Sequence, residues 1–254
     1  MSRAYANVII PKTGRDDFLN VCLFYLDKAA SVVDFNVNVY VIDTAKLKIP
    51  KYNSIKVKVC QLPASCVFNK ALLLNYGLEV MEQDFWFVSI VDVDMMYSQD
   101  FFLRLESIMT KRTYVFSTGV YLTKELTDEF IRNRPSILSV RGQYPEMSGP
   151  SQVTMHNNVY KMFKSIYGSS IYCEDFFGWG GEDSDLSYRA REMHKAGLIY
   201  RSELKYAWYH MYHDNDRYNA VANRYLYVNR KALNKDILDR FLIKNREVRY
   251  EQVS

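Results

Sequence analysis

Two aspartates follow the most apolar segment of the chain. Residues 84–91 read DFWFVSIV, which is typical of a buried parallel strand, and Asp92 and Asp94 come directly after it. Residues two apart on a strand point to the same side, so both carboxylates would share one site at the C-terminal end of that strand. Paired carboxylates suit a divalent cation that prefers oxygen and can hold a diphosphate. Two solvated acids that end a strand are the alternative, because a D-x-D pair is common by chance.

A second candidate site lies at residues 178–185, which read GWGGEDSD. The glycines would let the backbone approach a ligand closely, and Trp179 would offer an apolar face to a sugar ring. Glu182 and Asp183 would lie at the start of a helix, where acids also act as caps and meet the positive helix end. Because capping does not explain three glycines around a tryptophan, the segment favours a ligand site.

Histidines form the third feature. Two of the four histidines of the chain, His210 and His213, lie three residues apart and beside an acid. This arrangement fits a metal site as well as it fits hydrogen-bonded structural histidines, so both interpretations stay open. The isolated His156 favours a structural role.

Composition limits the class of protein. The 254 residues carry a formal charge of +4, with 48% hydrophobic, 24% charged and 15% aromatic residues. These fractions exclude disordered, collagen-like and coiled-coil proteins, and the small charge gives no support to a nucleic-acid partner. The first 17 residues lack the long apolar run that a signal peptide or membrane anchor needs, and the four cysteines have no metal-ligand spacing. We therefore expect a cytoplasmic protein and leave open its oligomeric state and a peripheral contact with the inner face of a membrane.

Strands and helices alternate in the first half of the chain. Apolar periodicity predicts strands at residues 6–10, 37–42, 54–60 and 84–91, and helices at 16–33 and 68–80. In the less regular second half, helices are predicted at 98–110, 157–166, 182–195 and after 219, strands at 113–122 and 204–213, and a loop region at 134–155. Repeated strand–helix–strand units predict an open α/β sheet with right-handed crossovers.

Five segments in a fixed order carry a resemblance to a known family. They are VIIPKTGR at 8–15, FNKALLLNYG at 68–77, VDVD at 91–94, GWGGEDSDL at 178–186 and YHMYHDND at 209–216. In order and spacing they resemble nucleotide-sugar-dependent glycosyltransferases of the GT-A fold, in the β-galactosyltransferase and chondroitin-polymerase branch. The resemblance covers residues 6–220 and implies a Rossmann-like, mostly parallel open sheet flanked by helices, with an irregular C-terminal half on the acceptor side.

The resemblance also implies roles for residues around the donor nucleotide and its metal ion. Pro11 and Arg15 would border the uracil pocket, Asp43 would touch the base or ribose, and Phe68, Asn69 and Lys70 would complete the nucleotide site. Asp92 would contact ribose or metal, while Asp94 and His213 would bind Mn²⁺ or Mg²⁺, with His210 as the alternative ligand. Lys70 stands where the family carries arginine, which would alter the donor contact.

For the transferred sugar, the resemblance implies a site built by the GWGGED segment. Trp179, Gly180 and Gly181 would line the sugar, Glu182 would bind its hydroxyl groups, and Asp183 would be the catalytic base. One catalytic domain, 1–254, would comprise a nucleotide-sugar half (1–97), an acceptor and catalytic half (98–216) and a helical C-terminal extension (217–254).

The expected activity is metal-dependent, inverting transfer of a hexose or N-acetylhexosamine, galactose as the first choice, from a UDP-sugar. The acceptor would be a hydroxyl group of a saccharide, glycolipid or other glycan, as in polysaccharide biosynthesis. A retaining transferase and a non-catalytic sugar-binding protein on the same scaffold remain alternatives. A sugar nucleotidyltransferase is disfavoured, because PKTGRDD is a poor match to the phosphate loop that it needs.

Overall fold

The computed structural model describes residues 5–45, 47–62, 69–140, 144–178, 180–214 and 219–251. For residues 148–151 and 246–251 it describes the backbone alone. Two predicted site residues, Phe68 and Trp179, lie outside the described residues.

The described residues form eight strands and seven α-helices. The strands are β1 (Tyr5–Lys12), β2 (Asn36–Asp43), β3 (Ile55–Gln61), β4 (Phe87–Ile90), β5 (Met95–Tyr97), β6 (Thr113–Tyr121), β7 (Met147–His156) and β8 (Tyr200–His210). The helices are α1 (Asp16–Ala30), α2 (Lys70–Val80), α3 (Phe101–Ile108), α4 (Lys124–Asn133), α5 (Asn157–Tyr167), α6 (Glu182–Lys195) and α7 (Ala220–Glu251), with a short 3₁₀ helix at Ile137–Ser139.

All eight strands belong to one sheet in the order β3-β2-β1-β4-β7-β6-β8-β5. β3, β2, β1 and β4 are parallel, β7 is antiparallel to both of its neighbours, β8 is parallel to β6, and β5 is antiparallel to β8. Six strands therefore run in one direction. The carboxyl ends of β1, β2 and β4, where ligands bind in open α/β sheets, meet at one edge.

Apolar side chains cover both faces of the sheet. One buried cluster joins the sheet to α1 and α3, and a second joins it to α2, α5 and α6. All four residues of β4 are buried, as its uninterrupted apolar sequence predicts. Burial of this surface is the main favourable contribution to the stability of the fold.

Several helices begin at capping side chains. Asn69, Thr123 and His156 each accept a hydrogen bond from a backbone N–H group in the first turn of α2, α4 and α5. His156 therefore has a structural role. A helix able to cross a lipid bilayer is absent from the described part of the chain.

The predicted loop at 134–155 is wrong for its second half. Residues Met147–His156 form β7, which pairs with β4 on one side and β6 on the other. The segment reads MSGPSQVTMH, whose glycine and proline have low strand propensity. Pro150 lies between the pairs Phe116–Val153 and Thr118–Ser148, where the register shifts, so the proline sits at an irregularity of the ladder.

β6 and β8 approach each other closely at Gly119, so a substitution there tests the packing between the two strands. A Cβ atom at Gly119 would lie 2.1 Å from the backbone oxygen of Trp208 and 2.2 Å from its ring. Because backbone cannot move aside as a side chain tip can, Gly119→Ala should lower the free energy of unfolding by about 1–3 kcal/mol. Urea denaturation measures this change.

The matched control is Glu203→Ala, at an exposed position of β8, which should change stability by less than about 0.5 kcal/mol. A Gly119→Ala variant as stable as the control would contradict the contact between the two strands.

Candidate functional site

Both acids of the D-x-D pair lie in the turn that leaves β4. This strand ends at Ile90, and the backbone N–H of Met95 donates to the carbonyl oxygen of Asp92 at 3.2 Å. Asp92 and Asp94 therefore do not lie on an extended strand, and their carboxylates contact different partners. Asp92 pairs with a lysine, whereas Asp94 pairs with an arginine and two histidines.

Asp94, His210 and His213 form a group that could hold a metal ion. One ligand atom from each residue lies within 4.8 Å of the others. His213 Nε2 is 3.0 Å from Asp94 Oδ2, and His210 Nε2 is 3.6 Å from Asp94 Oδ1. Asp94 Oδ1 is buried and has no hydrogen-bond partner, so this oxygen is available to bind a cation. One carboxylate and two imidazoles suit Mn²⁺ better than Mg²⁺, which prefers oxygen ligands throughout.

The short pairing between β5 and β8 explains why these side chains meet. Met95 lies opposite His210 in the ladder, and the backbone N–H of Met211 donates to the carbonyl oxygen of Asp94 at 2.8 Å. The acid that precedes β5 is thereby fixed beside the histidines that end and follow β8. His213, three residues after His210, completes the group.

Arg15 already contacts two of these three residues. Its Nη1 lies 2.5 Å from Asp94 Oδ2, and its guanidinium nitrogens lie 3.2 and 3.3 Å from the ring nitrogens of His213. Arg15 has a left-handed backbone conformation immediately before α1, with φ 58°, which directs the chain into the helix. A metal ion on Asp94 would therefore compete with the guanidinium group.

The charges around Asp94 keep it ionised. Burial raises its pKa, but the hydrogen bond from His213 and the charges of His210 and Arg15 outweigh burial and hold the pKa at about 2. The same hydrogen bond raises the pKa of His213 above its ordinary value. An ionised carboxylate is the form that binds a metal ion.

Lys70 joins three acids into a second group. Its Nζ lies 2.8 Å from Asp92 Oδ1, 2.8 Å from Asp183 Oδ2 and 3.6 Å from Glu182 Oε1. Burial alone would lower the pKa of Lys70, but the three carboxylates hold it well above its usual value. The lysine is thus a fixed cation between the D-x-D turn and the start of α6.

A glycine-rich turn before α6 places Glu182 and Asp183 beside Lys70. Gly178, Gly180 and Gly181 have φ values of 81°, 76° and 103°, which residues other than glycine rarely adopt. α6 then begins at Glu182, so both acids lie in its first turn, where the helix dipole favours negative charge.

Asp183 combines a raised pKa with an unused oxygen. Burial raises the pKa of its carboxyl well above the usual range, and the nearby Lys70 ammonium opposes that rise. Asp183 Oδ2 accepts a hydrogen bond from Lys70, whereas Oδ1 is buried and has no partner. This arrangement offers one free carboxylate oxygen to a proton donor, which is what a general base requires.

The predicted base or ribose contact, Asp43, is already paired within the protein. Its Oδ2 accepts a hydrogen bond from Lys12 Nζ at 2.6 Å, and its Oδ1 accepts one from the backbone of Ala45 at 3.0 Å. Lys12 also lies 2.6 Å from Asp16 Oδ1. Sequence reasoning did not identify Lys12, although a lysine that ends a buried apolar strand and precedes acids was a usable signal. Pro11 lies beside it in β1, opposite Ile42.

The structure thus brings most of the predicted residues together in two adjoining groups. Arg15, Asp94, His210 and His213 form the first, and Lys70, Asp92, Glu182 and Asp183 form the second. Asn69 caps α2, and its Nδ2 donates to the carbonyl oxygen of Glu174 at 2.8 Å. Asp92 lies outside the group of candidate metal ligands.

Comparison with known sequences gives no family: no family model matches the chain, and no curated protein does. The fold is nevertheless shared with solved structures. TarS from S. aureus aligns at 17% identity over 94% of this chain and 43% of its own, with a TM-score of 0.60. This chain therefore spans less than half of TarS. A second TarS structure, in complex with UDP, gives a TM-score of 0.56 at 17% identity and covers 94% of this chain and 70% of that one.

Two enzymes crystallised with manganese share the fold as well. A mutant of Drosophila β1,4-galactosyltransferase 7, in complex with manganese, UDP-Gal and xylobiose, aligns at 13% identity over 85% of this chain and 73% of its own, with a TM-score of 0.51. Glucosyl-3-phosphoglycerate synthase from M. tuberculosis, with Mn²⁺, UDP and glucosyl-3-phosphoglycerate, aligns at 14% identity over 89% and 78%, with a TM-score of 0.50. The predicted GT-A fold, a mostly parallel open sheet flanked by helices, is confirmed.

Proposed function

We propose that this protein is a metal-dependent glycosyltransferase that moves a hexose or N-acetylhexosamine from a UDP-sugar to a hydroxyl group of a saccharide or glycoconjugate. The observation that carries the proposal is Asp183, a buried acid with one free oxygen, adjoining a metal-binding group at the carboxyl edge of the sheet. Neighbours of the same fold that bind manganese with UDP-Gal or with UDP support this assignment. Galactose is the first choice of sugar.

The residues present fit a bound Mn²⁺ ion. Asp94, His210 and His213 would hold it. Both histidines would then be metal ligands, whereas the resemblance gave His210 only as an alternative to His213. When bound, the ion supplies a Lewis acid that neutralises charge on the diphosphate leaving group. Arg15, which contacts Asp94 and His213, would offer a further positive charge to the same phosphates.

The chain's own contribution to the reaction is proton transfer and positioning. Asp183 Oδ1 accepts the proton of the acceptor hydroxyl while that oxygen bonds to the anomeric carbon and the bond from this carbon to UDP breaks. Attack from the side opposite the leaving group inverts the anomeric configuration. Lys70 fixes the other carboxylate oxygen, and Glu182 with Gly180, Gly181 and Trp179 would bind the sugar hydroxyl groups and ring.

Asp183→Asn tests the base. Because the amide cannot accept the hydroxyl proton, kcat should fall at least about 100-fold, whereas binding of UDP and Mn²⁺ should stay within about twofold of the wild type. The measurement is transfer from a panel of UDP-sugars, followed by NMR of the anomeric proton of the product.

Asp239→Asn, at an exposed acid of α7, is the control and should retain full activity. Transfer undiminished by Asp183→Asn would overturn the role of Asp183. Absence of turnover by the wild type across the panel would leave a sugar-binding protein, and retention in the product would exclude the inverting mechanism.

Substitution of the metal-binding group should weaken Mn²⁺ binding. Asp94→Asn and His213→Ala each remove one ligand and should raise the dissociation constant for Mn²⁺ at least about tenfold, measured by isothermal titration calorimetry. His156→Asn, which retains an N-cap residue of α5 and lies outside the metal-binding group, should bind Mn²⁺ as the wild type does. Equal affinity in all three variants would place the metal elsewhere.

Lys70 should set the acid limb of the pH profile. A base works when deprotonated, so activity falls as pH drops through the pKa of Asp183. Lys70→Met removes the charge that opposes the effect of burial, so the pKa of Asp183 rises further and the acid limb of kcat/KM moves to higher pH. Lys70→Arg keeps the charge and should return the limb towards its wild-type position. A limb that does not move in Lys70→Met would exclude this coupling.

A further inference from the structure

The first half of α7 turns an apolar face to solvent. Nine residues between positions 221 and 235 are exposed, and six of them are apolar. These six form what we call the α7 apolar face: Val221, Ala222, Tyr225, Val228, Ala232 and Leu233. Positions 221, 225, 228 and 232 follow the spacing of one side of a helix, and the four larger side chains are 50–72% exposed. The outward side of a surface helix is ordinarily polar, so an apolar one indicates a contact with a partner.

The opposite side of α7 is packed against the protein. Arg230 Nε lies 3.2 Å from the buried Asp185 of α6, and Asn234 Nδ2 donates to the same carboxylate at 2.7 Å. Asn223 Nδ2 donates to the carbonyl oxygen of Phe177 at 2.9 Å. Apolar residues from the second half of α7 join the buried cluster that includes α5 and α6. These contacts fix the helix with its apolar face outward.

Basic residues accompany this face. Residues 220–235 contain four basic residues and no acid. Arg224, Lys231 and Lys235 recur at a spacing of seven and four residues, so they lie along one side of the apolar face. Lys235 lies 3.4 Å from Asp239, whereas Arg224 and Lys231 form no ion pair with a described residue.

α6 extends the basic side of this surface. Arg191 is exposed, and its guanidinium group lies 5.9 Å from the centroid of the Tyr188 ring, the same distance as Lys231 Nζ. The acid nearby on α6, Glu192, is paired with Lys195 at 2.7 Å. Arg191 itself forms no ion pair within the described chain, so it adds a third unpaired cation to those of α7.

The acids of the segment before α6 leave these cations unpaired. Glu174 and Asp175 are exposed there. Glu174 accepts a hydrogen bond from Asn75 Nδ2 at 2.8 Å, and Asp175 accepts one from Cys173 Sγ at 3.6 Å. Neither acid forms an ion pair with a described residue of α7. The apolar face therefore lies beside three positive charges that no acid of the described chain pairs with.

We propose that the α7 apolar face docks on an anionic lipid surface. Its apolar side chains would enter the boundary between headgroups and acyl chains, while Arg191, Arg224 and Lys231 would pair with acidic headgroups. Tyr225, at the centre of the face, has the apolar ring and polar hydroxyl group that suit this boundary. A second copy of the chain is disfavoured, because a symmetric contact would bring like charges together. A nucleic acid would use the cations but leave the aliphatic side chains in water.

The docking surface adjoins the proposed sugar site. The first turn of α7 lies against the glycine-rich turn, where a Cβ atom at Gly181 would be 3.3 Å from Asn223 Cβ. Docking would therefore bring this turn near the lipid headgroups, where an acceptor carried by a lipid would lie. This consequence rests on the proposed function, whereas the docking surface does not.

The test is co-sedimentation of the whole protein with lipid vesicles, without a sugar donor, so that its outcome is independent of the proposed transfer. One set of vesicles contains phosphatidylglycerol and phosphatidylcholine in equal amounts, and the neutral set contains phosphatidylcholine alone. We expect saturable binding to the anionic vesicles that high salt weakens, and at least about tenfold weaker binding to the neutral ones. No binding to the anionic vesicles, or equal binding to both sets, would overturn the proposal.

Two double variants separate the apolar contribution from the basic one. Tyr225→Gln with Val228→Gln places a good helix former at two exposed positions, so the Tm should not fall, whereas binding to anionic vesicles should weaken at least about tenfold. Arg224→Gln with Lys231→Gln should weaken it by about 25-fold, at about fivefold for each basic residue. Arg224→Lys with Lys231→Arg keeps the charge and should bind as the wild type does.

Leu103→Gln is the matched control for the apolar variant. Leu103 is 42% exposed on α3, which covers the opposite face of the sheet, so its substitution should leave vesicle binding unchanged. Wild-type binding by Tyr225→Gln with Val228→Gln would exclude the α7 apolar face as the docking surface. A wild-type dimer that this variant dissociates in sedimentation equilibrium would assign the face to a second copy, and tighter binding of a DNA duplex than of anionic vesicles would assign it to nucleic acid; either result would overturn the lipid surface.

Discussion

The shortage of positive charge at the carboxyl edge of the sheet is the constraint on which the site depends. Four acids, Asp92, Asp94, Glu182 and Asp183, are largely withdrawn from water there. Lys70 and Arg15 pair with them directly, and the two histidines lie beside Asp94. Buried charge is costly unless it is paired. Four carboxylates against the lysine and the arginine leave two negative charges when the histidines are not counted, which equals the charge of one divalent cation in magnitude. A divalent cation bound beside Asp94 would therefore balance the charge of the site.

Local signals in the sequence predicted the elements that carry this charge. α6 occupies the predicted range, 182–195, because glycines before two acids and a helical apolar period agree on where it begins. Apolar periodicity likewise predicts β1, α1, β2, β3 and α2, whose observed ends lie within three residues of the predicted ones. The D-x-D pair follows β4 as predicted, but its two carboxylates contact different groups instead of sharing one site.

The side-chain contacts that the sequence did not predict depend on pairing between strands that are distant in the chain. β5 has only three residues, too few for a period, and its partner β8 lies more than 100 residues further along the chain. This pairing places Asp94 beside the histidines, whereas Asp92, in the turn that precedes β5, pairs with Lys70 at the start of α2. The pairing of Lys12 with Asp43 likewise depends on the register of β1 and β2, which no single segment encodes.

The abundance of tyrosine has a partly structural explanation. Tyr40, Tyr97, Tyr114, Tyr172 and Tyr209 are fully buried, so these rings fill the core rather than present a surface to sugar. Some tyrosines also satisfy backbone groups, as when Tyr160 donates to the carbonyl oxygen of Leu78 at 3.3 Å. Composition alone therefore could not assign the aromatic residues to a ligand.

The two aspartates of the EDSD sequence show how partners separate structural acids from chemical ones. Asp185 is held on both oxygens: Oδ1 accepts hydrogen bonds from Arg230 and Asn234, and Oδ2, which has no hydrogen-bond partner, is ion-paired with Arg189 at 2.9 Å. These contacts fix α6 to α7. Asp183, two residues earlier, keeps one buried oxygen without a partner. Spacing in the sequence gives the two acids equal standing as candidates, since both lie in the first turn of one helix. Because Asp185 attaches α6 rigidly to α7, it also holds the free oxygen of Asp183 in position.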